Sequence, residues 1–145
     1  MSTKTHKVKK PSARTLVIKL DRIFSQYIRQ SEADKNGNVT CFTCDKRGNW
    51  KSFDCGHYVS RSYKSTRWDE QNTASQCVSC NRFHEGVKDV FALNLQKKYG
   101  DDILEKLNQK KNQIKKFSEY ELQEMIALYK DKVAELQDKA EKLIK

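Results

Sequence analysis

The stretch "CFTCDKRGNWKSFDCGHYVS", residues 41–60, carries the pattern that decides the fold. It opens with Cys41 and Cys44 in a Cys-x-x-Cys pair, and the same spacing returns at Cys77 and Cys80. Four thiolates from two such pairs make a closed tetrahedral Zn²⁺ site with no open position for a substrate. The cysteines therefore predict a structural zinc ion, and any further chemistry must come from other residues.

Turn-forming residues interrupt the sequence around these cysteines. Between 39 and 86 the chain offers short β-prone pieces, "VTCF", "WKSF" and "HYV", which are separated by Gly, Asn and Asp. Such a segment cannot fold on buried apolar surface alone, and we expect the zinc ion to replace a hydrophobic core. Cys55 is the fifth cysteine, and we expect it to pack as a small apolar side chain.

Apolar residues at helical spacing lie on both sides of this segment, so the expected fold class is α+β. Leu16, Leu20, Phe24 and Ile28 predict an N-terminal helix that ends at "KNGN". We divide the chain into a basic flexible tail over 1–13, an N-terminal helix over 14–36, a zinc-bound core over 39–88 and a helical C-terminal region over 89–145.

The last helical segment has two interpretations. A capping box, Ser118-x-x-Glu121, predicts where it begins. Apolar residues then alternate in steps of four and three, which is the spacing of a coiled coil that would join two copies of the chain. The alternative is a helix that packs on the N-terminal helix of the same chain. The apolar positions are Leu122, Ile126, Tyr129, Val133, Leu136, Ala140 and Leu143.

The charge balance favours a polyanionic partner. The net charge is +10, residues 1–14 contain five Lys and Arg residues and no acid, and a second basic run occupies 110–116. Basic segments neutralise phosphates and release counterions, which favours nucleic acid; a solvated tail without a partner is the alternative. No apolar run is long enough to span a membrane or act as a secretory signal, so we expect a cytoplasmic protein.

His57 is free for another role if the four cysteines complete the zinc shell. It is followed by Asn72 in "RWDEQN" and by Asn81 in "QCVSCN". Together with "CFTC" and "DCGHY", this arrangement resembles the HNH (His-Me finger) nucleases in their zinc-stapled form, and more closely the Rap/NinG family of phage recombination endonucleases. The resemblance covers about residues 39–107 and implies a ββα-metal core of the treble-clef-like HNH type.

The resemblance also implies a reaction and the residues that perform it. The reaction is hydrolysis of phosphodiesters in branched DNA, such as Holliday junctions and D-loops, in the host-cell cytoplasm. His57 matches the general base, Asn81 the position that helps to hold a catalytic Mg²⁺ or Mn²⁺, and Asn72 the clamp between loop and hairpin. The chemistry agrees with these roles, because histidine titrates near neutrality and a hard cation stabilises charge on phosphate.

One position departs from the family pattern. Many HNH enzymes carry a metal-binding aspartate immediately before the histidine, whereas this chain has Gly56. Residues two apart on a strand share a face, so we expect Asp54 to be the second ligand of the catalytic ion. The alternative is that Asp54 orients His57 or a turn. His84 would share a helical face with Asn81, and we expect it to be a surface residue.

Cations and aromatic residues surround these positions. Trp50, Tyr58 and Trp68 would either stack on unpaired bases or supply core to the zinc module. For each cation named next, the alternative to a phosphate contact is an ordinary surface charge. The residues expected to contact phosphates are Arg61, Lys64, Arg67 and Arg82.

Two other functions fit part of the sequence. A non-catalytic zinc module that binds DNA or a protein partner explains the cysteines and the basic tail. It does not require His57, Asn72 and Asn81 to match the positions of the HNH motif. An HNH nuclease that nicks duplex DNA without branch preference requires all three. Backbone contacts carry no sequence information, so a preference for branches would arise from geometry.

Overall fold

The computed structural model describes residues 9–144, and residues 1–8 of the predicted basic tail lie outside the described residues. No helix of the described chain is both long and apolar enough to cross a membrane. In order, the elements are α1 (Ala13–Ser31), β1 (Asn38–Thr40), β2 (Arg47–Asn49), β3 (Asp54–His57), α2 (Lys64–Arg67), β4 (Thr73–Gln76), α3 (Lys88–Tyr99), α4 (Ile103–Lys111) and α5 (Glu119–Ile144).

This architecture confirms the predicted α+β class, with helices on both sides of small sheets. The strands form two antiparallel pairs, β1 with β2 and β3 with β4. In the second pair Asp54 lies opposite Gln76, and His57 lies opposite Thr73. A five-residue π-helical turn, Ser79–Phe83, follows β4. The order of two antiparallel strands and a helical turn brings the start of β3, at Asp54, beside the start of that turn.

Helix α1 is shorter than the sequence suggested. Its first turn is capped by Ser12, whose hydroxyl accepts from the backbone N–H of Thr15 at 3.2 Å. The predicted end near 34–36 is wrong: the helix stops at Ser31. The carboxylate of Asp34 accepts from the backbone N–H of Asn36 and of Asn38, and these bonds form a turn that helical geometry would exclude.

The piece "WKSF" was predicted as a strand, and that prediction is wrong. Trp50–Ser52 forms one turn of 3₁₀ helix. The side chain of Asn49 accepts from the backbone N–H of Lys51 at 3.0 Å and caps the turn. The hydroxyl of Ser52 donates back to the carbonyl of Asn49 at 2.8 Å. These local bonds outweigh the β preference of the two aromatic residues.

Helix α5 packs against α1 of the same chain. The predicted cap is present, because the Ser118 hydroxyl accepts from the N–H of Glu121 at 3.1 Å. The rings of Phe24 and Tyr129 meet edge to face at 5.0 Å. This packing is the second of the two interpretations of the apolar spacing. The buried cluster consists of Leu16, Leu20, Phe24, Ile28, Trp68, Leu122, Ile126 and Tyr129.

A second cluster joins α3 and α4 to the β3–β4 sheet. Helix α3 ends before Gly100, which takes a positive φ of 103°. Helix α4 then folds back against it. Val59 and Ala74 connect these helices to the segment that carries His57. The remaining buried members are Phe91, Leu95, Ile103 and Leu107.

Candidate metal and catalytic centre

The two Cys-x-x-Cys pairs come together as the spacing predicted. The sulfurs of Cys41, Cys44, Cys77 and Cys80 all lie within 4.8 Å of one another, and Cys44 and Cys77 are 3.6 Å apart. In a tetrahedral zinc site with bonds of about 2.3 Å, sulfurs lie about 3.8 Å apart, so the cluster fits the ion.

Backbone N–H groups donate to two of these sulfurs. The N–H of Cys77 donates to the sulfur of Cys41 at 3.3 Å, and the N–H of Cys80 donates to the sulfur of Cys77 at 3.4 Å. Burial opposes ionisation of Cys41, but the N–H groups outweigh it and lower its pKa to about 6. Cys55 lies outside the cluster and packs against the α1–α5 core, where burial raises its pKa.

A buried glutamine links this cluster to strand β3. The amide of Gln76 donates to the hydroxyl of Thr43 at 3.0 Å and to the carbonyl of Gly86 at 2.8 Å. Its carbonyl oxygen faces Gly56 so closely that a Cβ there would lie 2.0 Å from it. Gln76 therefore fills the space that a side chain at 56 would need, and the glycine before His57 has a structural reason.

His57 stands at the end of β3, with its ring mostly buried. Its Nε2 lies 2.9 Å from the carbonyl oxygen of Arg67. A carbonyl can only accept, so Nε2 carries the proton and Nδ1 is the basic nitrogen. Burial lowers the pKa of His57 to about 4, against the opposing effect of the Arg67 carbonyl. The ring is therefore neutral at physiological pH and able to accept a proton.

Asn72 is fully buried, and both polar atoms of its side chain form hydrogen bonds with backbone groups. Its Oδ1 accepts from the N–H of Val59 at 2.7 Å. Its Nδ2 donates to the carbonyls of Val59 and Thr66 at 3.1 and 3.0 Å. These bonds hold the loop that begins after His57. Asn72 thus has the geometry of the clamp that the resemblance implied, and it positions its neighbours.

Asp54 on strand β3 and Asn81 in the Ser79–Phe83 turn are in contact. The amide of Asn81 donates to Oδ2 of Asp54 at 3.0 Å. Arg82 contacts both oxygens of the same carboxylate at 2.9 Å. Burial would raise the pKa of Asp54, but its bonds to Arg82 and Asn81 lower it, so the carboxylate is ionised. Arg82 was expected to contact phosphate, and here its partner is an acid.

These side chains share one open cavity of about 670 Å³. A carboxylate and an amide oxygen are ligands that suit Mg²⁺ or Mn²⁺, which favours this cavity as the place for a hard cation. Arg61 also lines it. The cavity brings together His57 and Asn81, to which the resemblance assigned roles, and Asp54, which was expected from its position on the strand. Its lining is Asp21, Phe24, Ser25, Asp54, Cys55, His57, Ser60, Arg61, Asn81, Arg82 and Lys88.

Of the other residues expected to contact phosphate, Arg67 is bonded within the fold and Lys64 is exposed. Arg67 is held by Asp21 of α1 through two bonds of 3.0 and 2.6 Å and donates to the carbonyl of Arg61 at 3.1 Å. Its guanidinium is therefore engaged within the fold. Lys64 is exposed on α2, outside the cavity, and His84 is exposed as expected. The indole of Trp68 donates to Asp21 at 3.0 Å and belongs to the core.

Two residues at the centre, Asp21 and Lys88, were not predicted from the sequence. Asp21 fixes Arg67, whose carbonyl orients His57. The ammonium of Lys88 donates to the carbonyl of His57 and, at 3.0 Å, to that of Tyr58. Lys88 follows three consecutive residues with positive φ, 85–87, so a strained turn sets its place. Contacts over such chain distances leave no local pattern that could have revealed them.

Comparison with known proteins gives one relationship. The family model described as "Bacteriophage Lambda NinG protein" matches residues 1–141. No curated protein and no solved structure matches the chain at a significant level. The likeness to the wider HNH nucleases remains a prediction from the motifs. Because the family model spans nearly the whole sequence, the chain belongs to the NinG family.

Proposed function

We propose that the protein is a metal-dependent endonuclease that hydrolyses phosphodiesters in branched DNA, such as Holliday junctions and D-loops, during phage recombination. The main support is one cavity lined by a neutral histidine, a carboxylate and an amide: His57, Asp54 and Asn81. Membership of the NinG family and the net charge of +10 favour nucleic acid as the substrate.

His57 is the group suited to take a proton from the attacking water. The water oxygen forms the new bond to phosphorus, its proton passes to Nδ1 of His57, and the bond from phosphorus to the 3′ oxygen breaks. The leaving oxygen takes a proton from solvent, which gives a 5′-phosphate and a 3′-hydroxyl. A phosphate bound beside the ring adds negative charge, which raises the pKa of His57 from about 4 towards neutrality.

Asp54 and Asn81 would hold the catalytic Mg²⁺ or Mn²⁺ through oxygen atoms. When bound, such an ion supplies Lewis-acid stabilisation of the charge on the phosphate and the leaving oxygen. Arg82 competes for this carboxylate, since it contacts both oxygens of Asp54. A phosphate offers the same bidentate geometry to a guanidinium, so substrate can give Arg82 a second partner.

Cleavage of a labelled four-way junction and of a linear duplex of matched sequence tests the proposal. We expect the zinc-loaded protein to cut the junction faster than the duplex with Mg²⁺, and to cut neither without added divalent metal. The His57→Ala variant should cut at least a hundredfold more slowly, because general-base catalysis contributes about 10²–10⁴-fold. His84→Ala is the matched control, because it removes an exposed histidine outside the cavity.

Three results would contradict the proposal in different ways. Binding of DNA without cleavage under any metal condition would favour a non-catalytic zinc module. Equal rates on both substrates would favour a nuclease without branch preference. Equal loss of activity in His57→Ala and His84→Ala, with zinc retained in both, would remove His57 from the reaction.

A further inference from the structure

A second cavity of about 530 Å³ lies beside the candidate catalytic cavity, along the outer face of α1. Asp21, Ser25 and Arg61 line both cavities, so the two are adjacent. We call the second one the α1 groove. Its lining is Asp21, Arg22, Ser25, Gln26, Arg29, Trp50, Lys51 and Arg61.

The α1 groove is strongly basic. Four of its lining residues are cations: Arg22, Arg29, Lys51 and Arg61. Asp21 is the one acid of this lining, and it is already neutralised by the guanidinium of Arg67 at 2.6 Å. The positive charge of the groove therefore has no counterpart within its own walls, which favours a polyanion.

An aromatic ring is fixed among these cations. The guanidinium of Arg29 donates to the carbonyls of Trp50 and Phe53 at 3.2 and 3.3 Å. The carbon of that guanidinium lies 5.3 Å from the centre of the Trp50 ring, and the ammonium of Lys51 lies 5.8 Å from it. Trp50 is half-buried, so its ring is held in place while part of it faces solvent.

We propose that the α1 groove binds an unpaired DNA strand that continues from the strand cut at His57. Cations that follow the backbone, next to an aromatic ring on which a base can stack, are how proteins hold single strands. A paired base cannot stack on Trp50 without leaving its duplex, so a duplex would gain the charge contacts but not the aromatic contact. Arg61 lies where the groove meets the catalytic cavity and would contact the phosphate between them.

This inference rests on the proposed function and identifies the feature of a branch that the protein would recognise. Four-way junctions and D-loops expose unpaired or separable strands at the branch point, and a linear duplex does not. Binding in the α1 groove would therefore place a branch point next to His57. The preference for branched DNA would then come from one chain, without a second copy.

Fluorescence titration with a short single strand tests this in buffer without added divalent metal, so that binding is measured apart from cleavage. We expect single-stranded DNA to quench the emission of Trp50, while Trp68, which is 6% exposed, stays unchanged. Trp50→Leu should abolish the quenching and weaken binding about tenfold or more, because base stacking contributes substantially to such complexes. A blunt duplex of equal length should quench far less.

A charge variant tests the groove without touching its aromatic ring. The double variant Arg22→Gln/Lys51→Gln should weaken binding. It should also reduce the magnitude of the slope of log affinity against log salt by about 1.4, because each phosphate contact contributes about 0.7 to that slope. Lys97→Gln/Lys130→Gln removes the same charge from exposed positions outside the groove and is the control. Equal effects of the two double variants, or equal quenching by the duplex, would overturn the inference even if the protein cuts DNA. Absence of cleavage with intact strand binding would instead remove the proposed function alone.

Discussion

At the scale of single residues, the packing of Gln76 explains why position 56 is a glycine. An acid at this position would collide with Gln76, whose buried side chain also bonds Thr43 and Gly86. The turn between Cys41 and Cys44 and strand β3 are thereby connected through the space that the glycine leaves free. Asp54, two residues earlier, lies at the cavity beside Asn81. A carboxylate is therefore present at the cavity although position 56 carries none.

Gly56→Ala should lower the free energy of unfolding by about 1–3 kcal/mol, because overpacking forces buried neighbours to move. Denaturant unfolding of the zinc-loaded protein measures this. In a Gln76→Ala background the same substitution should cost less, since the colliding atoms are gone. Additive losses in the double variant would show that the contact between Gly56 and Gln76 is not the cause.

Arg82→Gln should strengthen binding of Mn²⁺ to the cavity in the absence of DNA. The substitution removes the guanidinium that contacts both oxygens of Asp54 and leaves Asn81 in place. Electron paramagnetic resonance of free Mn²⁺ gives the affinity, and Arg47→Gln, at an exposed ion pair with Asp34, serves as the control. Unchanged or weaker Mn²⁺ binding would mean that Arg82 does not compete with the metal.

At the scale of elements, the sequence predicted what depends on spacing and missed what depends on single side-chain bonds or on distant contacts. Cysteine spacing located the metal cluster, and apolar steps located α1 and α5. The end of α1 at Ser31 and the 3₁₀ turn at Trp50–Ser52 were missed. Both depend on single side-chain bonds, from Asp34 and Asn49, that compete with helix and strand formation. The pairing of Asp21 with Arg67 joins two elements far apart in the chain.

The packing of α5 on α1 gives a matched pair of substitutions. Leu122 is 2% exposed in the shared core, whereas Leu143 on the same helix is 72% exposed. Leu122→Ala should lower the free energy of unfolding by about 2–5 kcal/mol, through lost burial and the cavity that remains. Leu143→Ala should change it by less than about 0.5 kcal/mol. Similar losses at both positions would indicate that the exposed end of α5 is covered, as a homodimer would require.

At the scale of the whole molecule, the four-cysteine cluster lies in a segment with little hydrophobic core of its own. The buried residues beside it form a small cluster that consists of Val39, Cys41, Phe53, Cys77 and Cys80. Apparent zinc-binding free energies in small modules are about 10–16 kcal/mol, as large as the stability of a typical domain. Strand β3 and the Ser79–Phe83 turn, which carry Asp54, His57 and Asn81, lie next to this cluster.

Loss of one zinc ligand should therefore unfold the candidate site. Cys44→Ser should bring the zinc content from one ion per chain to near zero and abolish the cooperative unfolding transition of the module. Cys55→Ser should retain zinc, because Cys55 lies outside the cluster. Metal analysis with circular dichroism checks both variants. A zinc-free Cys44→Ser protein with an unchanged thermal transition would show that the metal does not support the fold.

The most direct test of the central claim compares Mn²⁺ binding with junction cleavage in zinc-loaded His57→Ala and Asp54→Asn. If Asp54 and Asn81 hold the ion while His57 moves the proton, His57→Ala binds Mn²⁺ as the unsubstituted protein does but loses cleavage. Asp54→Asn should lose both. Mn²⁺ binding that is unaffected by Asp54→Asn, or cleavage that survives His57→Ala, would contradict the account.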